Sequence, residues 1–164
     1  MVKIVSGGQT GVDRAALDAA IELGLDYAGW CPKGGWAEDF PEPPGLLAVY
    51  PGLRATPSAD PLQRTGWNVR DADRLLILVD GRGLAVSAGS VAARDRAAAL
   101  GRPHLAVRLD APGALPQARA FITAAGGRGA LCVAGPRESE APGIYAQTRS
   151  FLREALARAG IREG

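Results

Sequence analysis

The sequence predicts a three-layer α/β domain, a mostly parallel sheet with helices on both faces. Three observations carry that prediction. Short apolar strand-like runs alternate along the chain with segments of helical periodicity, the pattern of strands joined by crossover helices. The run Arg74 to Val79 (RLLILV) is apolar throughout, as a central parallel strand covered on both sides is. The chain has 164 residues, 47% apolar and 22% charged, enough to bury the core of one globular domain.

Taken in order, Val2 to Ser6 (VKIVS) reads as a buried strand that runs into the turn GGQTG. A helix follows from Val12 to Leu23, with Val12, Ala16, Ala19, Ala20 and Leu23 on one stripe. Thr10 stands as its cap with Asp13 three residues on, and Gly24 ends it. Tyr27 to Trp30 is the second strand. From Cys31 to Gly66 the chain is irregular and rich in Pro and Gly, with a short strand at Leu47 to Tyr50. A stretch of that length inside a compact domain is usually functional. After the strand Arg74 to Val79, a glycine-bearing loop from Gly81 to Ser90 leads into a helix from Val91 to Leu100, ended by Gly101. A strand from His104 to Leu109, a helix from Pro116 to Ala125, a strand from Ala130 to Ala134 and a helix from Ile144 to Ala159 complete the alternation. No internal repeat or composition break divides the chain, so 1–164 reads as a single domain.

Composition excludes several classes. Net charge is +2, aromatics are 5%, and no basic run marks a nucleic-acid face. Cys31 and Cys132 form neither a metal-type pair nor a disulfide framework, and Cys132 lies in an apolar run as a buried thiol. No metal site is predicted. The apolar stretches are far shorter than a membrane span, and a strand begins where a signal peptide would stand, so the expected compartment is the cytoplasm.

The first loop carries the strongest functional signal. Gly7, Gly8, Gln9, Thr10 and Gly11 lie between a strand and a helix N-terminus, where backbone N–H groups and the helix dipole favour an anion. Glycines there permit positive φ and close approach to a ligand. The loop is not a Walker A loop, because no Lys-Ser/Thr pair follows. It is not a dinucleotide fingerprint either: Ser6 stands at the first glycine position, and the second strand ends at Cys31 rather than in a ribose-binding acid. The alternative is a tight structural turn. Asp13 suits the third helical position, and Arg14 reaches either a phosphate or Asp18.

Further candidates project from the same end of the sheet. Lys33 and Gly34 follow the second strand; Lys33 is one of only two lysines. Glu38 and Asp39 are adjacent carboxylates suited to a ribose hydroxyl, a metal or a base edge, or simply solvated. Arg64, Thr65 and Asn68 precede the central strand, as ligand contacts or as a surface helix turn. Ser87, Gly89 and Ser90 repeat the small-residue logic of the first loop, with Ser90 alternatively an N-cap. Arg137, Glu138 and Ser139 follow the last strand. The lone His104 opens a strand at the opposite edge and reads as structural. No Ser-His-Asp or Cys-His arrangement can be assembled.

Together the segments IVSGGQTGVDRAALDAA, CPKGGWAED, RTGWNV and VAGPRESEAPGIY resemble, in the same order, the molybdenum cofactor carrier family. That family is similar to a wider Rossmann-like group that includes the lysine-decarboxylase-like nucleotide phosphoribohydrolases and the DNA-processing protein DprA. The resemblance spans nearly the whole chain. It implies a Rossmann-like fold, assembly into a dimer or tetramer, and a phosphate-bearing ligand, either a molybdopterin-type cofactor or a nucleotide. The positions it matches are Gly7, Gly8, Gln9, Thr10, Gly11, Asp13 and Arg14; Lys33, Gly34, Glu38 and Asp39; Arg64, Thr65 and Asn68; and Arg137, Glu138 and Ser139. Two departures stand out. Gly35 and Trp36 replace expected basic residues, and the loop to Ser90 lacks the P-G-G-x-G-T-x-x-E pattern, with its Glu, of the phosphoribohydrolases.

Three functions follow as expectations. The first is a carrier that holds its ligand unchanged, with both glycine loops around phosphate and Lys33, Arg64 and Arg137 supplying charge. The second is a nucleotide hydrolase using Glu38 or Asp39. The third is a nucleotide-sensing oligomer. The residues favour binding, since no set among them requires a reaction.

Overall fold

The computed structural model describes residues 1–124, 126 and 128–160. The end of the predicted helix at Ala125 and the last four positions of the 1–164 domain lie outside the described residues. The elements are β1 (Lys3–Val5), α1 (Val12–Glu22), β2 (Tyr27–Cys31), a 3₁₀ turn (Lys33–Gly35), α2 (Leu46–Val49), β3 (Leu53–Ala55), α3 (Pro61–Asp71), β4 (Arg74–Val79), a second 3₁₀ turn (Leu84–Val86), α4 (Ala88–Ala99), β5 (His104–Arg108), α5 (Ala114–Thr123), β6 (Ala130–Ala134) and α6 (Ile144–Gly160). The six strands form one sheet in the order β3-β2-β1-β6-β4-β5, and every pairing is parallel. The fold is thus the three-layer α/β sheet that the sequence predicts.

Side-chain alternation along the strands separates the two helical layers. Leu76 and Leu78 of β4, with Leu131 and Val133 of β6, pack against α1, α5 and α6. Leu75, Ile77 and Val79, with Cys132, face Val69 of α3 and Ala93 and Ala97 of α4. α1 ends as expected: Gly24 takes φ +70°, and the Leu25 N–H donates to Ala20 O at 2.8 Å. No helix is long and apolar enough to cross a membrane among the described residues.

The region from Cys31 to Gly66 is ordered differently from the expectation. Leu47 to Tyr50 is not a strand but mostly the helical turn α2, and the third strand is Leu53–Ala55, paired with β2 at the sheet edge. Leu46, Tyr50 and Leu53 close over Leu17, Cys31 and Ala37 as a third apolar cluster. α3 begins where Asp60 accepts from the Leu62 N–H at 3.0 Å, with Pro61 in the first helical position. Two caps are also corrected. Ser87, not Ser90, caps α4, which therefore starts at Ala88 rather than Val91. Thr10 does not cap α1: Gly11 holds that position without a side-chain cap.

β6 lies between β1 and β4. The helices that follow β1 and β6 go to one face of the sheet, and the helix after β4 goes to the other. The chain therefore diverges at the carboxyl ends of β6 and β4 and leaves a crevice there, the place where open α/β sheets hold ligands.

Candidate ligand site

A cavity of about 280 Å³ occupies this crevice. Gly7 and Gln9 come to it from the β1 loop, Asp13 from the first turn of α1, Arg64, Thr65 and Asn68 from α3, Ser87, Gly89 and Ser90 from the start of α4, and Arg137 from the loop after β6. Four separated motifs thus meet at one place.

The first loop uses many of its donors internally. The Gly8 N–H donates to Ser6 Oγ at 3.3 Å and the Thr10 N–H to Gln9 Oε1 at 3.0 Å, while the Val12 N–H donates to Pro136 O at 3.2 Å. Gly11, at φ +80°, lets the β6 loop pass so close that an added Cβ would lie 2.3 Å from Pro136 O. Gly8 backs onto the core, where a Cβ would meet Leu53 at 3.0 Å. The start of α4 is more open. Ser87 Oγ accepts from the Ser90 N–H at 3.2 Å and from Ser90 Oγ at 2.8 Å. Among the described residues, the amides of Ala88 and Gly89 have no partner. Backbone donors at a helix N-terminus are suited to an anion.

Arg64 is 8% exposed, a cation almost entirely withdrawn from water. Its Nη1 donates to Gly7 O at 3.2 Å, its one hydrogen bond among the described residues. A side chain at Gly7 would collide with that guanidinium, with Cβ 2.5 Å from Nη1. Beside it, desolvation pushes the Asp13 carboxyl up to about 6; Arg64, Arg14 and a backbone hydrogen bond from Gln9 oppose the rise, and Glu140 adds to it. Burial likewise pushes up the thiol of Cys132, which lines the same cavity. Asn68 has a structural task as well. β1 ends at Val5, so Trp30 of β2 has no strand partner on that side; Asn68 Oδ1 accepts its N–H at 2.7 Å and Nδ2 donates to its carbonyl at 2.9 Å.

Gly8, Thr10, Gly11, Arg14, Glu38, Asp39, Glu138 and Ser139, expected as ligand contacts, do not line the cavity, and most of them are bonded to one another instead. Thr10 Oγ1 donates to Glu38 Oε1 and accepts from the Glu138 N–H at 3.1 Å. Ser139 Oγ donates to Glu38 Oε2 at 2.7 Å, and Arg137 Nη1 lies 3.7 Å from the same oxygen. Burial pushes Glu38 up, but the bonds from Thr10 and Ser139 and the Arg137 charge outweigh it and leave its pKa below the ordinary value. Arg14 does not reach Asp18; it grips Asp39 through two bonds of 2.8 Å and donates to Gly8 O at 3.0 Å. That grip holds Asp39 below its ordinary value. Glu138 accepts from the N–H groups of Gly143 and Tyr145, both at 2.9 Å, and so caps α6. Lys33 is exposed, and neither it nor Gly34 lines the cavity.

Sequence reasoning missed Trp36, Asp60, Leu62 and Glu140, all of which line the cavity. Trp36 and Glu140 flank motif residues directly. The Asp60-Pro61 pair was the legible sign that α3 begins there. Among the described residues, no group of three or more His, Cys, Asp or Glu side chains could hold a metal ion.

The family described as circularly permutated YpsA SLOG matches residues 4–156. A crystal structure described as a putative molybdenum carrier protein from Syntrophus aciditrophicus SB is 37% identical, covers 94% of each chain and superposes with a TM-score of 0.80. No curated protein matches the sequence. The strand order accords with a permutation. Read from β6, the strands run outward through β1, β2 and β3 to one edge and then through β4 and β5 to the other, the doubly wound plan. Starting at β1 instead moves the central strand and its helix to the end. On the match across nearly its whole length and the likeness to that carrier structure, the chain belongs to the circularly permutated YpsA SLOG family.

Proposed function

We propose that the protein binds a small phosphate-bearing ligand, a molybdopterin-type cofactor or a nucleotide, in the crevice at the carboxyl end of the sheet, and acts as its carrier. The observation that carries this reading is Arg64, a buried cation with donors left over beside the open amides of Ala88 and Gly89. Asp13 beside it compensates part of the charge, while the guanidinium donors that Gly7 does not take stay open to the cavity, where an anionic ligand is a further partner. The structure described as a putative molybdenum carrier protein from Syntrophus aciditrophicus SB supports the carrier part of this reading. The donor set consists of amides, a guanidinium and hydroxyls, which suits the phosphate of either ligand. A volume near 280 Å³ lies at the small end of ligand pockets, enough for one fused ring with its phosphate. The hydrolase alternative needs a carboxyl that holds a proton near neutrality. Glu38 and Asp39, the carboxyls the sequence offers for it, are both held below their ordinary values and do not provide one; the cavity carboxyl lifted toward neutrality is Asp13, at about 6. The shared six-stranded sheet supports a single domain, and assembly as a dimer or tetramer belongs to the same proposal.

Thermal unfolding tests it, with inorganic phosphate, AMP, GMP and molybdopterin as probes. A ligand that binds the folded state raises the midpoint as its concentration grows. The expected result is a rise in the wild type that is lost in Arg64→Met. Gly8 is unsuitable for this test, because a side chain there presses into the core at Leu53. If no phosphate compound raises the midpoint, the proposal is wrong.

A further inference from the structure

Gln9 and Asp13 stand side by side in the cavity wall and offer a ligand one donor and one acceptor. Gln9 is only 4% exposed. Its Oε1 accepts from the backbone N–H groups of Thr10 and Glu38, both at 3.0 Å. Two backbone donors on that oxygen fix which way the amide is turned, so Nε2 is the atom left over. Among the described residues Nε2 has no partner, in a side chain that lines the cavity. The residue is buried but Nε2 is not sealed off, so this donor is open to a ligand in the cavity.

Asp13 is the complementary group. Ionised, its carboxylate only accepts. The charged groups that act on it are Arg64 of α3, Arg14 of its own helix and Glu140 of the loop after β6, and Cys132 of β6 lies within its field. A ligand phosphate is disfavoured against two carboxylates, so it takes the amides of Ala88 and Gly89 together with the Arg64 donors that Gly7 leaves over. The Gln9–Asp13 end then faces a ring edge that presents one acceptor next to donors.

We propose that this end reads the 2-amino-4-oxopyrimidine edge shared by guanine and pterin rings. Gln9 Nε2 donates to the ring carbonyl, and the Asp13 carboxylate accepts from the ring N–H and the exocyclic amino group. Adenine offers the carboxylate one donor and hypoxanthine lacks the amino group, so each loses a charge-assisted bond. The inference rests on the reading that the cavity holds the ligand's ring together with its phosphate.

Calorimetric titration with GMP, IMP, AMP, XMP and ribose 5-phosphate tests it, on the wild type and on Asp13→Asn. The wild type is expected to bind GMP on the order of tenfold to a hundredfold more tightly than IMP or AMP. In Asp13→Asn, GMP falls to the level of IMP and XMP gains affinity, because the new amide donates to the 2-oxo group. That gain cannot come from a damaged fold. Should Asp13→Asn not fold, the wild-type ratio of GMP to IMP decides alone, since the two differ only in the amino group. Equal binding of all five compounds leaves the phosphate reading standing and overturns the ring reading. Preference of the wild type for AMP or XMP also overturns it. If none binds, the binding proposal itself falls.

Discussion

Replacing Asp13 by Asn should stabilise the protein near neutral pH and leave it almost unchanged in acid. Desolvation lifts the Asp13 carboxyl from 3.8 to about 6 against the pull of Arg64 and Arg14. A carboxyl that holds its proton more tightly in the folded state favours folding while both states are protonated, below the unfolded value of 3.8. As pH rises, the unfolded chain releases the proton first, and stability drains away until the folded carboxyl ionises near 6. At about 1.4 kcal/mol for each tenfold change in proton affinity, the whole effect is about 3 kcal/mol. Asp13 is half-buried rather than sealed, so water screens part of it, and about 1–3 kcal/mol is the expected gain. Urea unfolding of both proteins between pH 4 and 7.5 measures it, because other carboxylates cancel in the difference. The stability gap should open between pH 4 and 6 in favour of Asn and then stay constant. A gap that does not change with pH, or one that moves toward the wild type as pH rises, would refute the argument. Such a cost in the absence of ligand is what a group kept for binding would show.

Two substitutions, with Gly24→Ala as a control, test the frame of the site. Gly11→Ala combines the strain of positive φ, about 1–2 kcal/mol, with a Cβ 2.3 Å from Pro136 O that displaces the Val12–Pro136 hydrogen bond. A loss of about 2–4 kcal/mol in urea unfolding is expected. Gly24→Ala, also at positive φ but with nothing within 4 Å, isolates the backbone part and should lose about half as much. Ser87→Ala removes the buried cap of α4 and should lose about 1–2 kcal/mol. It should also weaken inorganic phosphate binding several-fold by calorimetry, since the open amides follow that cap.

Much of the fold was legible because its signals are local. RLLILV can be little else than a buried parallel strand, and the Gly24 stop follows from backbone conformation alone. The stretch from Cys31 to Gly66 was not legible because long-range packing decides it. Leu46 and Leu53 acquire their role only when Leu17 of α1 is placed beneath them. Residues from several motifs come together at one cavity, but which of them line it and which hold one another was not legible. Arg14 and Asp39 look like ligand groups in sequence and hold each other in the structure. Conversely, α3 is short and polar on its outer side, so nothing in its pattern marks Arg64 as a buried cation.

Glu138 shows how that division can be measured. Its position after β6 makes it a candidate ligand group, yet its carboxylate accepts from Gly143 and Tyr145 at the start of α6. Two bonds to a half-buried charged acceptor, doing the work of a helix cap, contribute about 2 kcal/mol. Glu138→Ala should therefore lower stability in urea by about that amount, and Glu138→Gln, which keeps one acceptor oxygen, by about half. α6 packs on α1, but α1 is also held by the sheet and by Arg14, so the cavity should keep its shape. The affinity for a phosphate ligand should then change by less than about threefold, in contrast to Arg64→Met. The opposite pattern, intact stability with tenfold weaker binding, would mean that Glu138 leaves its cap to meet the ligand and that α6 is held by other means.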